Sequence, residues 1–125
     1  MITPPEHCPE DCPPADADMA IGKIIRFVRN APPTREDMKD CVELGTKLDA
    51  PPCLRCALSV LVDETDVSKA RALIPYFRKL KVAVAEFRAG QAKLKQTGNN
   101  EWHHSLWLER TIAATAHQMF QVLEL

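Results

Sequence analysis

The chain has 125 residues, of which 46% are hydrophobic and 26% charged, and its formal net charge is −1. This length and composition are typical of one globular domain and argue against wholesale disorder. No stretch approaches the ~18 uninterrupted apolar residues of a membrane span, and the N-terminus lacks the positive flank and apolar run of a secretory signal. We therefore expect a single domain over residues 1–125, located in the cytoplasm and without membrane contact.

The charges are distributed unevenly along the chain. Residues 1–18 carry five acidic residues and no Lys or Arg, whereas residues 66–97 carry eight basic residues against two acidic ones. Because the first segment is also rich in proline and has no amphipathic pattern, it would be disordered unless something ties it down. We expect residues 1–15 to form an arm that a metal ion anchors to the rest of the chain.

Paired prolines divide the first half of the chain at positions 4/5, 13/14, 32/33 and 51/52. Proline lacks an amide donor and disfavours helix in the residue before it, so each pair marks a boundary. The segments between the pairs, within residues 16–64, predict short helices. The first, over about residues 16–30, has one apolar face formed by Ile21, Ile24, Ile25 and Val28.

A second helix is predicted from Thr34, an N-cap with Asp37 three residues on, to about residue 48. Its apolar stripe makes Cys41 a packing residue. The third segment, CLRCALSVLVDE at residues 53–64, is so apolar that it must be buried on nearly every side. A helix is favoured there, although Val60 and Val62 leave a strand as the alternative.

The second half of the chain predicts a long antiparallel helical hairpin over residues 66–125. Asp66 caps a first helix that extends to about residue 97, in which apolar residues follow a 4,3 spacing and Pro75 marks a kink or the true start. A glycine and two asparagines form the turn, and a second helix follows over about residues 101–123. The predicted fold class is therefore all-α, a compact bundle of about five helices.

Two close cysteine pairs are the most specific chemical signal in the chain. Cys8 and Cys12 stand in CPEDC, and Cys53 and Cys56 stand in CLRC about 40 residues later. Zinc binds four thiolates at about 2.3 Å in a tetrahedron, so two such pairs can share one ion. We therefore predict one structural zinc ion bound by Cys8, Cys12, Cys53 and Cys56.

Three alternatives to zinc stay open for these cysteines. They are disulfides or redox-active thiols, an iron–sulfur cluster, and no joint role, in which buried cysteines act as small hydrophobic residues. A reducing cytoplasm and the odd count of five cysteines disfavour structural disulfides. Four thiolates would also fill the coordination sphere of zinc and leave no position for a substrate, which disfavours a metalloenzyme.

Basic residues of the predicted hairpin form a second feature. Arg78, Lys81, Arg88 and Lys95 recur at spacings of 3, 7 and 7. On a helix this spacing gives a basic ridge long enough to follow several phosphates of a nucleic acid or an acidic protein surface. A solvated helix face, partly neutralised by the acidic arm, is the simpler interpretation. No recognisable DNA-binding motif accompanies the ridge.

The predicted last helix has a second apolar row, formed by Leu108, Ile112, Met119 and Val122. This row is either buried within the monomer, which is the simpler interpretation, or available as a homodimer surface.

Catalysis has little support in the sequence. The three histidines of the last predicted helix, His103, His104 and His117, do not converge on helical geometry. The chain contains no HExxH, GxSxG or phosphate-binding glycine motif. We therefore do not predict an enzyme.

Taken together, these patterns predict a small zinc-stabilised binding or regulatory module that acts by protein–protein contact, masking or inhibiting its partner. A nucleic-acid-associated regulator that uses the basic ridge is the first alternative, because that ridge is the strongest charged feature. A thiol redox protein or sensor is the second, because close cysteine pairs also support reversible oxidation.

Overall fold

A computed structural model describes residues 2–123 of the chain. Within this range lie seven β-strands in two antiparallel sheets, four short α-helices and three 3-10 helices. The prediction of an all-α bundle of about five helices is therefore wrong, and so is the long helical hairpin over residues 66–125. The fold is mixed and rich in sheet.

The elements are short and follow one another closely along the chain. The strands are β1 (Asp18–Met19), β2 (Gly22–Val28), β3 (Leu58–Val60), β4 (Lys81–Phe87), β5 (Ala92–Gln96), β6 (His104–Leu108) and β7 (Gln121–Leu123). The α-helices are α1 (Cys41–Leu44), α2 (Pro52–Arg55), α3 (Thr65–Leu73) and α4 (Arg110–Ala113), and the 3-10 helices are Arg35–Met38, Pro75–Lys79 and Ala116–Gln118.

The chain crosses repeatedly between the two sheets. The four-stranded sheet has the order β1-β5-β6-β3, and the three-stranded sheet has the order β2-β4-β7. The chain passes directly from β1 in the first sheet to β2 in the second. A bridge between Ile25 in β2 and Leu61 just after β3, with two backbone hydrogen bonds of 2.8 Å, joins the sheets again. The sheets therefore enclose a common core.

That core is built from alternate residues of facing strands. Ile24 and Val28 of β2 and Phe87 of β4 share one apolar cluster with Leu106 and Leu108 of β6. The opposite face of β2 and β4 is covered as well, by a smaller cluster that includes residues of α3 and the bridge. Because both faces of these two strands are buried, their sequences are nearly continuous apolar runs, which periodicity alone does not distinguish from a buried helix.

The first predicted helix, residues 16–30, is instead β1 and β2. The spacing of its isoleucines fits a helical face, yet Ile24 and Ile25 lie on opposite faces of β2 in different clusters. Ile21, assigned to the same helical face, lies between the two strands and is 68% exposed. The β-branched residues of this segment favour the extended state because they pack well on a pleated surface.

The second and third predicted helices are interrupted. Thr34 is the N-cap of the 3-10 helix Arg35–Met38, with Asp37 as its capping-box partner. A second capping box, formed by Asp40 and Glu43, starts the separate helix α1, which Gly45 ends in the left-handed conformation at φ +69°. Residues 53–64 contain the end of α2 and then β3, so the strand alternative holds there for Val60.

The predicted hairpin fails at Pro75. The residue before it, Ile74, is extended at φ −121° and ψ 97°, because proline disfavours helix in its predecessor, and α3 therefore ends at Leu73. Beyond this point β4 pairs with β2 along its whole length, and Val82 lies opposite Phe27. Residues 101–123 form β6, α4 and β7 in place of the last predicted helix. Among residues 2–123, no helix has the length and apolar character needed to cross a membrane.

Candidate metal centre and adjacent cavity

The N-terminal arm covers the outer face of the four-stranded sheet. Strand alternation in β6 directs Leu106 and Leu108 into the core and Trp107 to this outer face, where it is fully buried. Trp107 packs in one cluster with Ile2 and Ala17 from the two ends of the arm. Its indole Nε1 donates a hydrogen bond of 2.9 Å to the carbonyl of Cys53. The arm and the α2 region thus meet over one aromatic side chain.

Polar contacts hold both ends of the arm. The amide of Thr3 donates to the carboxylate of Glu109 at 2.8 Å, and the amide of Arg110 donates to the carbonyl of Thr3 at 2.8 Å. The Arg110 guanidinium also donates to the carbonyl of Pro4 at 3.0 and 3.2 Å. Near the other end, Lys95 pairs with Asp16 at 2.9 Å. Several contacts within the protein therefore anchor the arm, for which the sequence analysis predicted a metal ion as the anchor.

The four predicted zinc ligands meet beside Trp107. Cys12 and Cys53 form a disulfide, with their Cα atoms 5.4 Å apart. The Sγ atom of Cys56 lies 3.6 Å from the Sγ atom of Cys12, and Cys8 packs against the same cluster, close enough to Cys56 for each thiol to shift the pKa of the other. Two turns that begin at prolines position Cys8 and Cys12, because the amides of these cysteines donate to the carbonyls of Pro5 and Pro9. The two pairs converge on one spot, and zinc binding there stays a prediction.

The two free thiols of this cluster share their proton unequally. The hydrogen bond from Cys56 lowers the pKa of Cys8, since it stabilises the Cys8 thiolate more than burial opposes it. The same hydrogen bond, together with burial, raises the pKa of Cys56. Cys8 is therefore the group that gives up its proton first. A thiolate is the form that binds metals and attacks disulfides.

Cys41, which the sequence assigns to packing, lies outside this cluster. It is a free, half-buried thiol at the first position of α1. It therefore offers a matched control for experiments on the other four cysteines.

A polar network lies next to the cysteines and continues the arm contacts. His7 and Asp40 are 2.5 Å apart, and Arg35 donates to Glu43 at 2.6 Å. Burial lowers the pKa of His7, but its hydrogen bond to Asp40 and the charge of that carboxylate outweigh this effect, so the pKa is raised overall. Asp40 is buried with only 6% of its surface exposed. The network therefore joins the arm to the loop that leads into α1.

A cavity of about 260 Å³ lies beneath the arm, between this network and the core. Leucines of β3 and β6, Leu58, Leu106 and Leu108, provide its apolar lining. Its polar lining comes from the network and from Arg110, and Cys56 borders it. An apolar cavity with a few convergent polar groups has the general character of a small-molecule site.

The predicted basic ridge does not form, because its helix is absent. Arg78 belongs to a 3-10 helix and donates to the carbonyl of Arg71, Lys81 begins β4, and Arg88 follows the opposite end of that strand. Lys95 lies in the other sheet and pairs with Asp16. Contact of these four residues with nucleic acid or an acidic partner stays a prediction. The helical ridge on which that prediction was based is absent.

The predicted dimer row lies mainly against the monomer's own core. Leu108 is a buried core residue of β6, and Ile112, Met119 and Val122 are partly buried against the same cluster. This arrangement agrees with the simpler interpretation given to the row. Self-association stays a prediction.

Sequence reasoning missed the polar residues beside the cysteines. The sequence patterns assigned no role to His7, Asp40, Glu43, Arg35 or Arg110. The Asp40/Glu43 spacing is a capping-box signal that marks a helix start and could have been recognised. The contact of His7 with Asp40, 33 residues apart, has no local signal. Neither models of protein families, nor curated proteins, nor solved structures match this chain.

Proposed function

We propose that the protein is a small zinc-stabilised binding module, in which Cys8, Cys12, Cys53 and Cys56 hold one zinc ion and the folded chain acts by contact with a protein partner. The single observation that carries the proposal is the convergence of both cysteine pairs beside Trp107. Cysteines that pack merely as small hydrophobic residues have no reason to meet in two pairs.

The distance between two of the four sulfur atoms fits zinc. Four thiolates at about 2.3 Å from one ion lie roughly 3.8 Å from one another in a tetrahedron, and the Sγ atoms of Cys12 and Cys56 are 3.6 Å apart. Zinc requires the reduced form, since the Cys12–Cys53 disulfide must first give two thiols. The lowered pKa of Cys8 supplies one ligand already biased toward the thiolate.

The zinc ion in this proposal has a structural role. Four sulfur ligands complete its coordination and leave no open position for a substrate. The ion would join the arm to the α2 region and fix both over Trp107. The proposed activity is therefore binding, and the protein surface must supply the contact.

An exposed leucine-rich segment next to the cysteines is the surface proposed for that contact. Leu44, Leu48 and Leu54 are 50%, 74% and 38% exposed, and the segment they belong to passes directly into the Cys53/Cys56 pair. The Nε atom of Arg55 donates to the carbonyl of Thr46 at 3.1 Å, which ties the segment to α2. Several exposed leucines on one short segment are the kind of apolar surface that marks protein contacts.

Zinc content tests the first half of the proposal. Protein purified with a reductant and without chelator should contain about one zinc ion per chain. Serine substitution of any one of Cys8, Cys12, Cys53 and Cys56 should reduce that content and lower the thermal midpoint, because metal binding is linked to folding. The control Cys41→Ser should retain both. Metal-free reduced protein, or an equal loss in Cys41→Ser, would contradict zinc binding.

Charge placed on the leucine segment tests the second half. Leu48→Asp should abolish capture of a partner protein from a native lysate while leaving the thermal midpoint unchanged, because the side chain is largely exposed. The matched control is Leu73→Asp, since Leu73 is 58% exposed and belongs to α3, outside this segment. A captured protein lost equally in both variants, or in neither, would argue against the leucine segment as the contact surface.

A thiol redox function is the second candidate, and the disulfide itself favours it. If Cys56 passes its proton to the Cys8 thiolate and its sulfur then attacks the Sγ atom of Cys12, a Cys12–Cys56 bond forms as the Cys12–Cys53 bond breaks. Cys53 leaves as a thiolate and takes up the proton that Cys56 released, so this exchange needs no external oxidant. Trapping with an alkylating reagent followed by mass spectrometry separates the candidates. Exchanging disulfides in a protein that takes up no zinc when reduced would favour redox chemistry.

A further inference from the structure

The cavity beneath the arm has features that neither zinc binding nor the leucine segment uses. Its volume of about 260 Å³ corresponds to roughly eight or nine water molecules at about 30 Å³ each. It is slightly smaller than the range of sites for drug-sized ligands. The leucines that line it belong to the rigid four-stranded sheet, whereas the arm contributes Pro5 and His7. The cavity is thus large enough for a small organic molecule only.

One polar group of this cavity lacks a partner. Arg35 lines the cavity and uses Nη2 to bind Glu43 at 2.6 Å. Its Nη1 is buried and has no hydrogen-bond partner among the described residues. A buried donor without a partner is unfavourable, and such groups are rare in native structures, so this one calls for an acceptor. An oxygen atom in the cavity would satisfy Nη1.

A metal ion is not the occupant that these side chains favour. The nearest ligand atoms of His7, Asp40 and Glu43 lie within 4.8 Å of one another. However, each of the four carboxylate oxygens already accepts a hydrogen bond from protein, two from backbone amides of the capping box and one each from His7 and Arg35. A metal ion would have to displace these donors. The unpartnered Nη1 of Arg35 belongs to a positively charged guanidinium, which repels cations.

The charges beside the cavity limit the occupant further. Two arginines, Arg35 and Arg110, and two carboxylates, Asp40 and Glu43, line the cavity and together carry no net charge, and His7 adds a positive charge only when it is protonated. A dianionic phosphate would be repelled by the carboxylates, and the Arg110 guanidinium is already engaged with Pro4. A neutral or singly charged acceptor meets no such penalty.

We propose that this cavity binds a small molecule with a short apolar chain and a carbonyl-oxygen head, either carboxylate or primary amide, which accepts a hydrogen bond from Arg35 Nη1 while the chain packs on Leu58, Leu106 and Leu108. The head supplies the acceptor that Arg35 lacks. The chain replaces water on an apolar surface, which is favourable. This site is independent of zinc, since only Cys56 borders both.

Binding by the whole protein tests the proposal with three probes of equal chain length, valerate, valeramide and pentylammonium. Methyl NMR of the leucine side chains reports where each probe binds. Valerate and valeramide should shift the methyl signals of Leu58, Leu106 and Leu108 with roughly millimolar affinity, as expected for ligands of this size. Pentylammonium, which has only donors in its head, should bind at least about tenfold more weakly.

The Arg35→Lys variant tests the role of Nη1 directly. Lysine keeps the positive charge beside Glu43 but has no second nitrogen, so the affinity for valerate and valeramide should fall about tenfold, which equals about 1.4 kcal/mol. Arg55→Lys is the matched control, because Arg55 lies outside the cavity and should bind the probes like the native protein.

Three results would overturn the proposal. They are equal affinity for the three head groups, unchanged binding by Arg35→Lys, and no methyl shift at the three leucines up to about 50 mM probe, well above the affinity expected for such ligands. If Arg35→Lys fails to fold, the comparison of head groups in the native protein still decides. Loss of zinc without loss of probe binding would separate this proposal from that for the metal centre.

Discussion

The two faces of the four-stranded sheet are covered in different ways. The inner face packs on the other sheet through strand residues such as Leu106, which is fully buried in the common core. The outer face is covered by a proline-rich arm without regular secondary structure before β1. There Trp107, cysteines and a few polar contacts replace the alternating apolar pattern. A segment with little apolar content can thus be ordered when one large side chain and several anchors act together.

The difference predicts that the outer face can open while the core persists. Few of the arm's contacts are backbone ladders, whereas β2 and β4 pair over seven residues each. Local stability follows the number of buried apolar contacts and protected hydrogen bonds. The arm should therefore be the less stable region, and the experiments below test this comparison.

Trp107→Ala is expected to have the largest effect. Removing a fully buried aromatic side chain costs about 3–5 kcal/mol, and urea denaturation should show this decrease in the free energy of unfolding. Hydrogen exchange should increase first at the amides of Cys8 and Cys12 in the arm and of Ala17 just after it, while β2 and β4 stay protected. Equal loss of protection in the arm and in β2 would show that the two faces unfold together.

Two further variants provide comparisons for the loss of stability expected in Trp107→Ala. Leu106→Ala changes the neighbouring residue on the inner face and should cost about 2–5 kcal/mol, with increased exchange in both sheets because it weakens the common core. Lys95→Met removes an exposed contact between the arm and β5, where charge pairs contribute little. The denaturation midpoint of Lys95→Met should equal that of the native protein.

Asp37→Asn changes a residue outside the arm and should lower the free energy of unfolding by a smaller amount, which depends on pH. Burial raises the pKa of Asp37, but hydrogen bonds from the amides of Thr34 and Arg29 outweigh it, so the pKa is lowered overall. Hydrogen bonds to a charged group contribute about 1.5–3 kcal/mol each, and the variant should lose roughly the lower of these values at pH 7. Unfolding in urea across the pH range measures the loss.

The sign of the pH dependence follows from the lowered pKa. The carboxylate of Asp37 stabilises the folded protein above the unfolded pKa of about 3.9, and this contribution disappears as the pH falls through the lower folded pKa. Native and Asp37→Asn proteins should therefore converge in stability in strong acid. The exposed Asp49→Asn is the control. A difference that stays constant down to acid pH would mean that charge at Asp37 is not its cause.

Some features of this protein follow from local sequence. Thr34 is an N-cap as predicted, because a capping box depends only on residues three apart. Pro75 interrupts the second-half helix for an equally local reason, although the sequence analysis assigned it a kink or a start. Boundaries of this kind need no information about distant parts of the chain.

The class of the elements between those boundaries was predicted wrongly. Ile21, Ile24, Ile25 and Val28 fit a helical stripe, and the same residues fit a strand buried on both faces. The deciding contact is the pairing of β2 with β4, whose residues stand about 60 positions later, for example Ile25 opposite Val84. Propensity and periodicity are weak where tertiary burial covers every side.

Residue types and short spacings are enough to identify the two cysteine pairs as the chemically specific groups and to place the segment limits at proline and capping residues. Tertiary contacts, in contrast, make the segments strands, bring the cysteine pairs together beside Trp107 and leave Arg35 with an unpartnered donor beside an apolar cavity. These arrangements depend largely on contacts between residues more than 30 positions apart, and no local pattern encodes which distant segment will bury a given face.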